Sequence, residues 1–303
     1  MAESLLVILG PTASGKSELA LELARRWGAE VLNVDSMQVY RGMDIGTAKA
    51  TPAERAQVRH HLLDVVEPDQ SYTVARFVQE ADAVIADCQK RGVPLVAVGG
   101  TPLYFKALFQ GLFDGPGADE MLRERLRARD PVDLYRQLCQ IDPAAAERIH
   151  PNDSKRLIRA LEVFELTGQP ISALQTNWQA EDHRHKAVWV GLTGERDRLN
   201  RRINMRVRQM LEAGWVREVE KLLGIYGAFS PTAAEAAGYA QIIEYLRGKM
   251  SLEEATEQIK IQTRQLARRQ IKWFRRFENV LWLNMAQPLD EKVGQVMNIW
   301  QKE

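Results

Sequence analysis

The sequence predicts an α/β fold, a doubly wound parallel sheet that carries an all-helical insertion domain. Short apolar segments alternate with longer segments of helical periodicity over most of the chain. One stretch, residues 115–182, breaks this alternation because it contains helical patterns and no convincing strand. With 303 residues, of which 45% are hydrophobic, the chain is long enough for one large domain or two smaller ones.

Five segments are predicted to be strands because they are short, nearly continuous apolar runs, as expected for parallel strands buried on both faces. They are Ser4–Leu9, Glu30–Val34, Pro94–Val98, Ala187–Leu192 and Val280–Leu283. Helical spacing of apolar residues predicts a helix that ends before Gly28 and another through Ala75–Arg91. A long helical region, Asp197–Gln270, leads to the last strand.

The insertion is predicted from three helical patterns, Asp119–Arg129, Pro131–Gln140 and Ser154–Thr167. The segments Gly115–Gly117 and Thr176–His185 have the composition of its hinges. We therefore expect a catalytic core made of residues 1–114 and 185–303, and a helical insertion domain of residues 115–184.

The composition excludes a disordered, collagen-like or disulfide-rich protein. No segment approaches the roughly 18 consecutive apolar residues of a membrane-spanning helix, and the first residues do not resemble a signal peptide. The two cysteines, Cys88 and Cys139, are far apart in helix-like segments. We therefore expect a cytoplasmic protein with no membrane partner.

Residues Gly10–Ser17 match the phosphate-binding pattern G-x-x-x-x-G-K-[ST]. In such a loop the backbone amides surround a phosphate group, and the N-terminus of the next helix faces it. Lys16 supplies a positive charge, and the Ser17 hydroxyl can hold Mg²⁺. The pattern lies between a predicted strand and an amphipathic helix, so it predicts a phosphate site without specifying a nucleotide.

Two more polar side chains follow predicted strands at the same edge of the sheet. Asp35 follows the second strand, where a carboxylate can act as a general base or organise Mg²⁺, or can cap the next turn. Thr101 follows Gly99 and Gly100 at the end of the third strand. Its hydroxyl can meet a phosphate, or it can cap the next helix in an ordinary turn.

A basic segment lies near the end of the chain, although the net charge is only +1. Between Arg264 and Arg276 there are six basic residues and no acidic one. Four cations share one helix face, with three aromatic residues interleaved: Arg264, Arg268, Lys272 and Arg275, with Trp273, Phe274 and Phe277. Phosphates on cations and a base stacked on a ring would suit this pattern, and a solvated helix face is the alternative.

Other polar groups are weaker candidates. A second arginine cluster, residues 198–208, has Glu195 and Asp197 close by. The five histidines lack the sequence context of a metal site, and the two cysteines form no zinc-like cluster. From the residues alone, a small-molecule kinase, a nucleotide hydrolase and an RNA-binding module with a structural nucleotide all stay open.

Taken together, the motifs resemble those of the bacterial tRNA dimethylallyltransferases, also called tRNA isopentenyltransferases. They follow one another in order over nearly the whole chain: Gly10–Ser17, Asp35–Arg41, Asp44–Lys49, Gly99–Tyr104, Asn152–Glu162, Gly238–Tyr239 and Thr263–Arg275. Two positions depart from the pattern that we expect. Pro102 replaces Gly or Met, and Lys272 replaces the Thr before Trp273.

The resemblance implies a P-loop kinase-like core that binds the diphosphate of dimethylallyl diphosphate in place of a nucleoside triphosphate, with Mg²⁺ as cofactor. The implied reaction transfers the dimethylallyl group to the exocyclic N6 amine of the adenosine 3′ of the anticodon and releases diphosphate. The implied tRNAs read UNN codons and bind through the anticodon stem-loop. We expect the enzyme to be a monomer.

The resemblance also assigns roles to individual residues. Asp35 matches the general base, and Thr101 matches a residue where the target base meets the diphosphate. Diphosphate binding is implied for Gly10, Thr12, Ala13, Ser14, Gly15, Lys16 and Ser17, and Mg²⁺ binding for Ser17. Contacts with tRNA are implied for Asp35, Ser36, Met37, Gln38, Thr101, Arg123, Arg159, Ala160, Leu161, Glu162, Val163, Arg268, Arg269, Gln270, Lys272, Trp273 and Arg275.

Overall fold

The computed structural model describes residues 5–113, 115–175 and 184–300. It divides into two compact units. The core unit combines Met1–Leu108 with His185–Glu303, and the helical unit is Phe109–Arg184. The helical unit thus starts six residues before the insertion domain that the sequence predicts. Of the predicted hinges, Gly115–Gly117 lies within the helical unit, and residues 176–183 lie outside the described part of the chain.

The core unit is built on a six-stranded parallel sheet, which confirms the predicted α/β class. The strands are β1 (Leu5–Leu9), β2 (Glu30–Asn33), β3 (His60–His61), β4 (Leu95–Gly99), β5 (Val188–Thr193) and β6 (Val280–Asn284). Their order in the sheet is β3-β2-β4-β1-β5-β6. All five predicted strands are present, with ends shifted by one residue, and Ser4 lies outside the described residues.

The sequence analysis missed β3, because its two histidines pair with β2 at the edge of the sheet and carry no apolar signal. The apolar runs that it did identify have a direct cause. All five residues of β1 are buried, since this strand lies between β4 and β5. Each fully buried Leu or Ile side chain there stabilises the fold by about 1.5–3 kcal/mol.

The two faces of the sheet are covered by helices of the core unit. These helices are α1 (Lys16–Trp27), α2 (Pro52–Gln57), α3 (Val74–Arg91), α10 (Arg196–Glu212), α11 (Trp215–Tyr226), α12 (Tyr239–Leu246), α13 (Leu252–Phe274) and α14 (Leu289–Trp300). Helices α1 and α14 pack on one face, where Leu6, Leu19 and Val293 share one apolar cluster. On the other face the ring of Phe105 lies near those of Trp189 and Phe274.

Helix α4 (Pro102–Gln110) leads out of the core unit. The helical unit contains α5 (Glu120–Arg127), α6 (Pro131–Ile141), α7 (Pro143–Ala146), α8 (Ser154–Thr167) and α9 (Ile171–Leu174). Aspartates begin its first four helices, since Asp119, Asp130, Asp142 and Asp153 each accept a hydrogen bond from a first-turn amide. Such caps stabilise a helix by about 1 kcal/mol each. Among the described helices of both units, none is long and apolar enough to cross a membrane.

A loop on the core unit, residues 44–49, is held from several sides. The carboxylate of Glu218 accepts hydrogen bonds from three consecutive amides of this loop and from the hydroxyl of Tyr239. Gly46 packs so closely that a Cβ there would lie 2.1 Å from Nε1 of Trp215. The buried Lys49 ammonium donates to Asp44 and Asp64. Glu218 therefore joins the motif Asp44–Lys49 to Tyr239 of the motif Gly238–Tyr239.

Candidate active site

The phosphate loop connects β1 to α1 and has the backbone that its pattern requires. Ala13 and Gly15 both have positive φ, 61° and 94°, so the chain folds tightly before α1 begins at Lys16. The hydroxyl of Ser14 is buried and has no hydrogen-bond partner within the described part of the chain. A buried hydroxyl without a partner at a helix N-terminus fits an anionic ligand.

Asp35 follows β2 and lines the cleft. Its two carboxylate oxygens have different surroundings. Oδ1 accepts a hydrogen bond of 2.9 Å from the backbone amide of Met37, which closes a local turn. No helix starts at this turn, because the next one after β2 is α2. The alternative role that the sequence left open for Asp35, capping the next turn, therefore applies to Oδ1 and not to Oδ2. Oδ2 lies beside Gly100 and the loop after β4.

The loop after β4 brings Thr101 against the loop after β2. The amide of Ser36 donates to Oγ1 of Thr101 at 3.0 Å, and Oγ1 donates to Oγ of Ser36 at 3.2 Å. Gly99 permits this contact, since a Cβ on it would lie only 1.9 Å from the carbonyl oxygen of Val34. The structure thus brings together two residues to which the resemblance assigns the chemistry, Asp35 and Thr101.

A small space beside Gly100 separates the carboxylate from the phosphate-loop lysine. A Cβ on Gly100 would lie 3.6 Å from Oδ2 of Asp35 and 3.6 Å from Nζ of Lys16. A proton-accepting group and an anion-binding group therefore face the same point. A Cβ at position 100 would also lie only 2.8 Å from Nε2 of Gln270, so a side chain there would have to displace this amide.

The electrostatics of this space are dominated by desolvation. Burial of the ammonium lowers the pKa of Lys16 to about 8, although the charge of Asp35 raises it, and the nearby charge of Arg206 lowers it further. Lys16 as a whole residue is only partly buried, so water reaches this part of the cleft. Burial also lowers the pKa of the Arg206 guanidinium. An anionic ligand would relieve the repulsion between these two cations.

Sequence reasoning undervalued α10, which supplies two arginines to the site. Arg202 and Arg206 line the cleft, and Nη2 of Arg202 lies 3.4 Å from where a Cβ on Gly15 would be. Their spacing of four residues, one helical turn, was the available signal. The nearby acids Glu195 and Asp197 made this arginine cluster a weaker candidate in the sequence analysis, yet neither acid lines the cleft.

The cleft has a volume of about 760 Å³ and contains both polar and apolar walls. The polar wall includes the phosphate loop, Asp35, Gln38 and the two arginines of α10. The apolar part includes Ile45, Ala48 and Met210. The side chain of Gln38 donates to the carbonyl oxygens of Thr47 and Ala48, so it also shapes this wall. Such a cleft can hold an anion together with a short hydrocarbon group.

The outer face of α13 and the two residues that follow it carry exposed cations, which are Arg268, Arg269, Lys272, Arg275 and Arg276. Arg264, which the sequence also predicted on this face, is half-buried and donates to Oδ1 of Asn204. The predicted aromatic partners are mostly not available to a ligand. Phe274 is fully buried, and the ring of Phe277 stacks on Trp189. Trp273 is half-buried, with the guanidinium of Arg276 5.5 Å from its ring centre.

Gln270 is also placed differently from the prediction that it contacts tRNA. Its side chain is buried and points into the site, where it bonds to the phosphate loop and to Gly100. Helical periodicity explains the difference, because position 270 lies on the inner face of α13 with Ala267 and Phe274.

Four of the predicted tRNA contacts in α8 are buried in the core of the helical unit: Ala160, Leu161, Glu162 and Val163. The Glu162 carboxylate accepts hydrogen bonds from Arg123, Arg159 and the amide of Asp119. Burial alone would raise the pKa of Glu162, but these hydrogen bonds outweigh it and hold the pKa below its usual value. Arg123 and Arg159 are about 30% exposed, so these two residues alone of the set from α5 and α8 reach solvent.

A cluster that the sequence did not reveal lies at the amino end of β2. Ligand atoms of Glu30, His61 and Cys88 lie within 4.8 Å of one another. Arg91 donates to both oxygens of Glu30, at 2.7 and 2.8 Å, and with His61 it lowers the pKa of Glu30 to about 2. The guanidinium occupies the place of a cation, so we interpret the cluster as an ion-pair network.

Comparison with known proteins agrees with this geometry. A family model described as IPP transferase matches residues 38–277, and one described as isopentenyl transferase matches residues 3–71. The chain is 45% identical to the tRNA dimethylallyltransferase of Geobacter metallireducens, over 98% of this chain and 97% of that protein. This chain belongs to the tRNA dimethylallyltransferase family. Its members are prenyl-transferring enzymes.

Further relatives support the same assignment of the family. The tRNA dimethylallyltransferase of Geobacter sulfurreducens is 47% identical, over 94% of this chain and 93% of that protein. A tRNA isopentenylpyrophosphate transferase from Bacillus halodurans has a similar structure, with a TM-score of 0.74 and 40% identity, covering 99% of this chain and 96% of that one. A eukaryotic dimethylallyltransferase, captured in crystals acting on tRNA, has a TM-score of 0.82 and 31% identity, over 97% of this chain and 77% of its own.

Proposed function

We propose that this enzyme transfers the dimethylallyl group of dimethylallyl diphosphate to the exocyclic N6 amine of the adenosine 3′ of the anticodon, and that it releases diphosphate. The tRNA substrates would be those that read UNN codons. The observation that carries the proposal is that Oδ2 of Asp35 and Nζ of Lys16 lie near one point beside Gly100, each 3.6 Å from where a Cβ on that residue would be. The names of the relatives support tRNA as the acceptor.

The carboxylate of Asp35 would take the proton. The N6 amine of adenine is a poor nucleophile and a very weak acid. As its nitrogen forms a bond to the allylic carbon, that nitrogen becomes positively charged and its proton becomes acidic. Asp35 can then accept the proton through Oδ2, while Oδ1 stays bonded to the Met37 amide and holds the carboxylate in place.

The cations of the cleft would receive the leaving group. When the bond between the allylic carbon and the diphosphate oxygen breaks, the electron pair stays on that oxygen. Lys16, Arg202 and Arg206, which line the cleft, would stabilise this negative charge together with the loop amides. The Ser14 hydroxyl would find in the diphosphate the hydrogen-bond partner that it lacks among the described residues.

The donor set also fits Mg²⁺. Ser17 and Asp35 line the same cleft, and hydroxyl and carboxylate oxygens are ligands that Mg²⁺ prefers. A bound Mg²⁺ would neutralise part of the charge on the diphosphate.

The exposed cations of α13, together with Arg123 and Arg159, would contact tRNA phosphates. Adenine cannot react while it is stacked in the anticodon loop, so it would be flipped into the cleft at a cost of a few kcal/mol. Thr101 and Ser36 would then lie close to the flipped base.

The decisive experiment combines the enzyme with Mg²⁺, unmodified tRNA that reads a UNN codon, and radiolabelled dimethylallyl diphosphate. We expect label on the adenosine 3′ of the anticodon. Asp35→Asn should lower turnover roughly 100-fold or more while tRNA affinity stays nearly unchanged. Asp133→Asn, a change at an exposed position of α6, is the matched control.

Normal turnover of Asp35→Asn would remove Asp35 from the role of base. Absence of label in the RNA, combined with ATP consumption in the presence of a small acceptor, would overturn the proposed function and favour the kinase alternative.

A further inference from the structure

A second pocket opens on the core unit, apart from the cleft that contains Asp35. Its volume is about 210 Å³. The residues that line it include Pro11, Thr193, Ile271, Phe274, Arg275 and Trp282. None of the steps in the proposed reaction uses this pocket, although Pro11 directly precedes Thr12 in the phosphate loop.

The indole of Trp282 is held in place by the sheet. Trp282 lies on β6, the edge strand, in register with Gly191 of β5. A Cβ on Gly191 would lie 2.5 Å from Cε3 and Cζ3 of the indole, so the ring covers the glycine. Trp282 is nevertheless 37% exposed. A large aromatic side chain is therefore fixed on the strand and still accessible.

The charges around this pocket select the kind of ligand. Arg275 is the charged residue of the lining, and the exposed cations of α13 precede it at helical spacing. Between residues 264 and 276 the sequence contains no acidic residue. An apolar pocket with an accessible ring and a row of cations beside it complements a polyanion that also carries flat aromatic groups.

We propose that this pocket binds an unpaired nucleobase of the RNA substrate, stacked against the Trp282 indole, while a neighbouring phosphate binds Arg275. The ligand class is single-stranded RNA, since paired bases do not expose their faces. The inference rests on the proposed function, because it assumes that RNA is the acceptor. It assigns a role to Trp282, which is 37% exposed, whereas Phe274 is buried and the ring of Phe277 stacks on Trp189.

The test measures the affinity of the full chain for an unmodified anticodon stem-loop at several salt concentrations. Trp282→Leu should bind the stem-loop roughly tenfold more weakly, and Trp282→Phe should lose less because it keeps a ring. Neither change removes a charge, so the slope of affinity against salt should stay the same. Arg275→Gln should weaken binding and reduce that slope by about 0.7. Ile261→Ala, at another exposed apolar position of α13, should bind normally.

Two further readouts keep the result interpretable. Thermal unfolding of each variant shows whether it is folded, and the difference in tryptophan emission between the parent enzyme and Trp282→Phe isolates the signal of position 282. That signal should be quenched when the stem-loop is added. The affinity for dimethylallyl diphosphate should not change.

Unchanged stem-loop affinity in folded Trp282→Leu would overturn the inference and leave the proposed function intact. A weaker affinity for dimethylallyl diphosphate with normal RNA binding would also overturn it, and would assign the pocket to the prenyl group. If the parent enzyme neither binds nor prenylates the stem-loop, the proposed function itself fails.

Discussion

The backbone amide of Thr12 donates a hydrogen bond of 2.9 Å to Oε1 of Gln270, which follows it by 258 residues. Through its Nε2, the same side chain donates to the carbonyl oxygen of Gly100 at 2.7 Å. One buried amide therefore joins the phosphate loop, the loop that carries Thr101, and helix α13. The two loops of the site are held in register by the helix whose outer face carries the cations.

This relationship predicts that Gln270→Leu lowers turnover about tenfold, which corresponds to ~1.4 kcal/mol of transition-state stabilisation. Leucine has a similar size but leaves the two backbone groups without their partner. The KM for the anticodon stem-loop should stay within about twofold, because the outer face of α13 is unchanged. Steady-state kinetics measure kcat and KM separately. The control is Gln262→Leu, a change on the exposed face of the same helix. Normal turnover with reduced thermal stability would limit Gln270 to a structural role.

The pKa of Lys16, about 8, predicts a pH-dependent affinity for the diphosphate substrate. The anion binds best to the charged ammonium, which is the main form of Lys16 below pH 8. Affinity should therefore be nearly constant below pH 7.5 and fall as pH rises above 8, by up to about tenfold per pH unit. Calorimetric titrations between pH 6.5 and 9.5 measure this. Lys16→Arg keeps the charge over the whole range, so its profile should be flat. A flat profile in the parent enzyme would contradict the assignment.

The exposed cations of α13 predict the salt dependence of tRNA binding. Replacing both Arg268 and Lys272 by Gln should weaken binding and reduce the slope of log affinity against log salt by about one unit per lost phosphate contact. Arg136→Gln combined with Lys249→Gln removes two exposed cations that lie outside α13 and serves as the matched control. An unchanged slope in the α13 variant would show that this helix presents only a solvated face.

The buried Glu162 predicts a stability effect in place of a direct tRNA contact. Glu162→Gln should destabilise the helical unit by about 3 kcal/mol, because Arg123 and Arg159 lose their buried partner. Glu165, like Glu162, lies on α8, but it pairs with the exposed Arg125 of α5, so Glu165→Gln should cost less than about 1 kcal/mol. Urea unfolding of both variants at pH 7 compares the two values.

The lowered pKa of Glu162 gives this prediction a pH dependence of known sign. A carboxyl whose pKa is lowered by folding stabilises the fold at pH values above its unfolded pKa. That stabilisation is lost as pH falls through the folded pKa. The difference between the parent enzyme and Glu162→Gln should therefore shrink below about pH 4.5. A difference that stays constant down to pH 3 would contradict the ion-pair explanation.

Local patterns were sufficient for much of the fold and part of the site. Apolar runs identified β1, β2, β4, β5 and β6, because a strand buried on both faces has few polar residues. The phosphate loop was identified from its own spacing, since its backbone geometry depends on Gly15 and the helix that starts at Lys16. Asp35 and Thr101 were identified by their position after strands, because the carboxyl ends of parallel strands meet at one edge.

Other features depend on which face of a helix is covered, and a helix in isolation does not carry that information. The sequence placed Gln270 and Glu162 with tRNA contacts, but packing of α13 and α8 turns both side chains inward. It discounted Arg206, which packing turns toward the phosphate loop. It offered no hint that Gly191 makes room for Trp282. Short-range periodicity thus determined the strands, the phosphate loop and the loop residues that follow each strand. The assembly of distant segments decided which polar side chains line the site and which support it, because burial and charge pairing arise only when those segments meet.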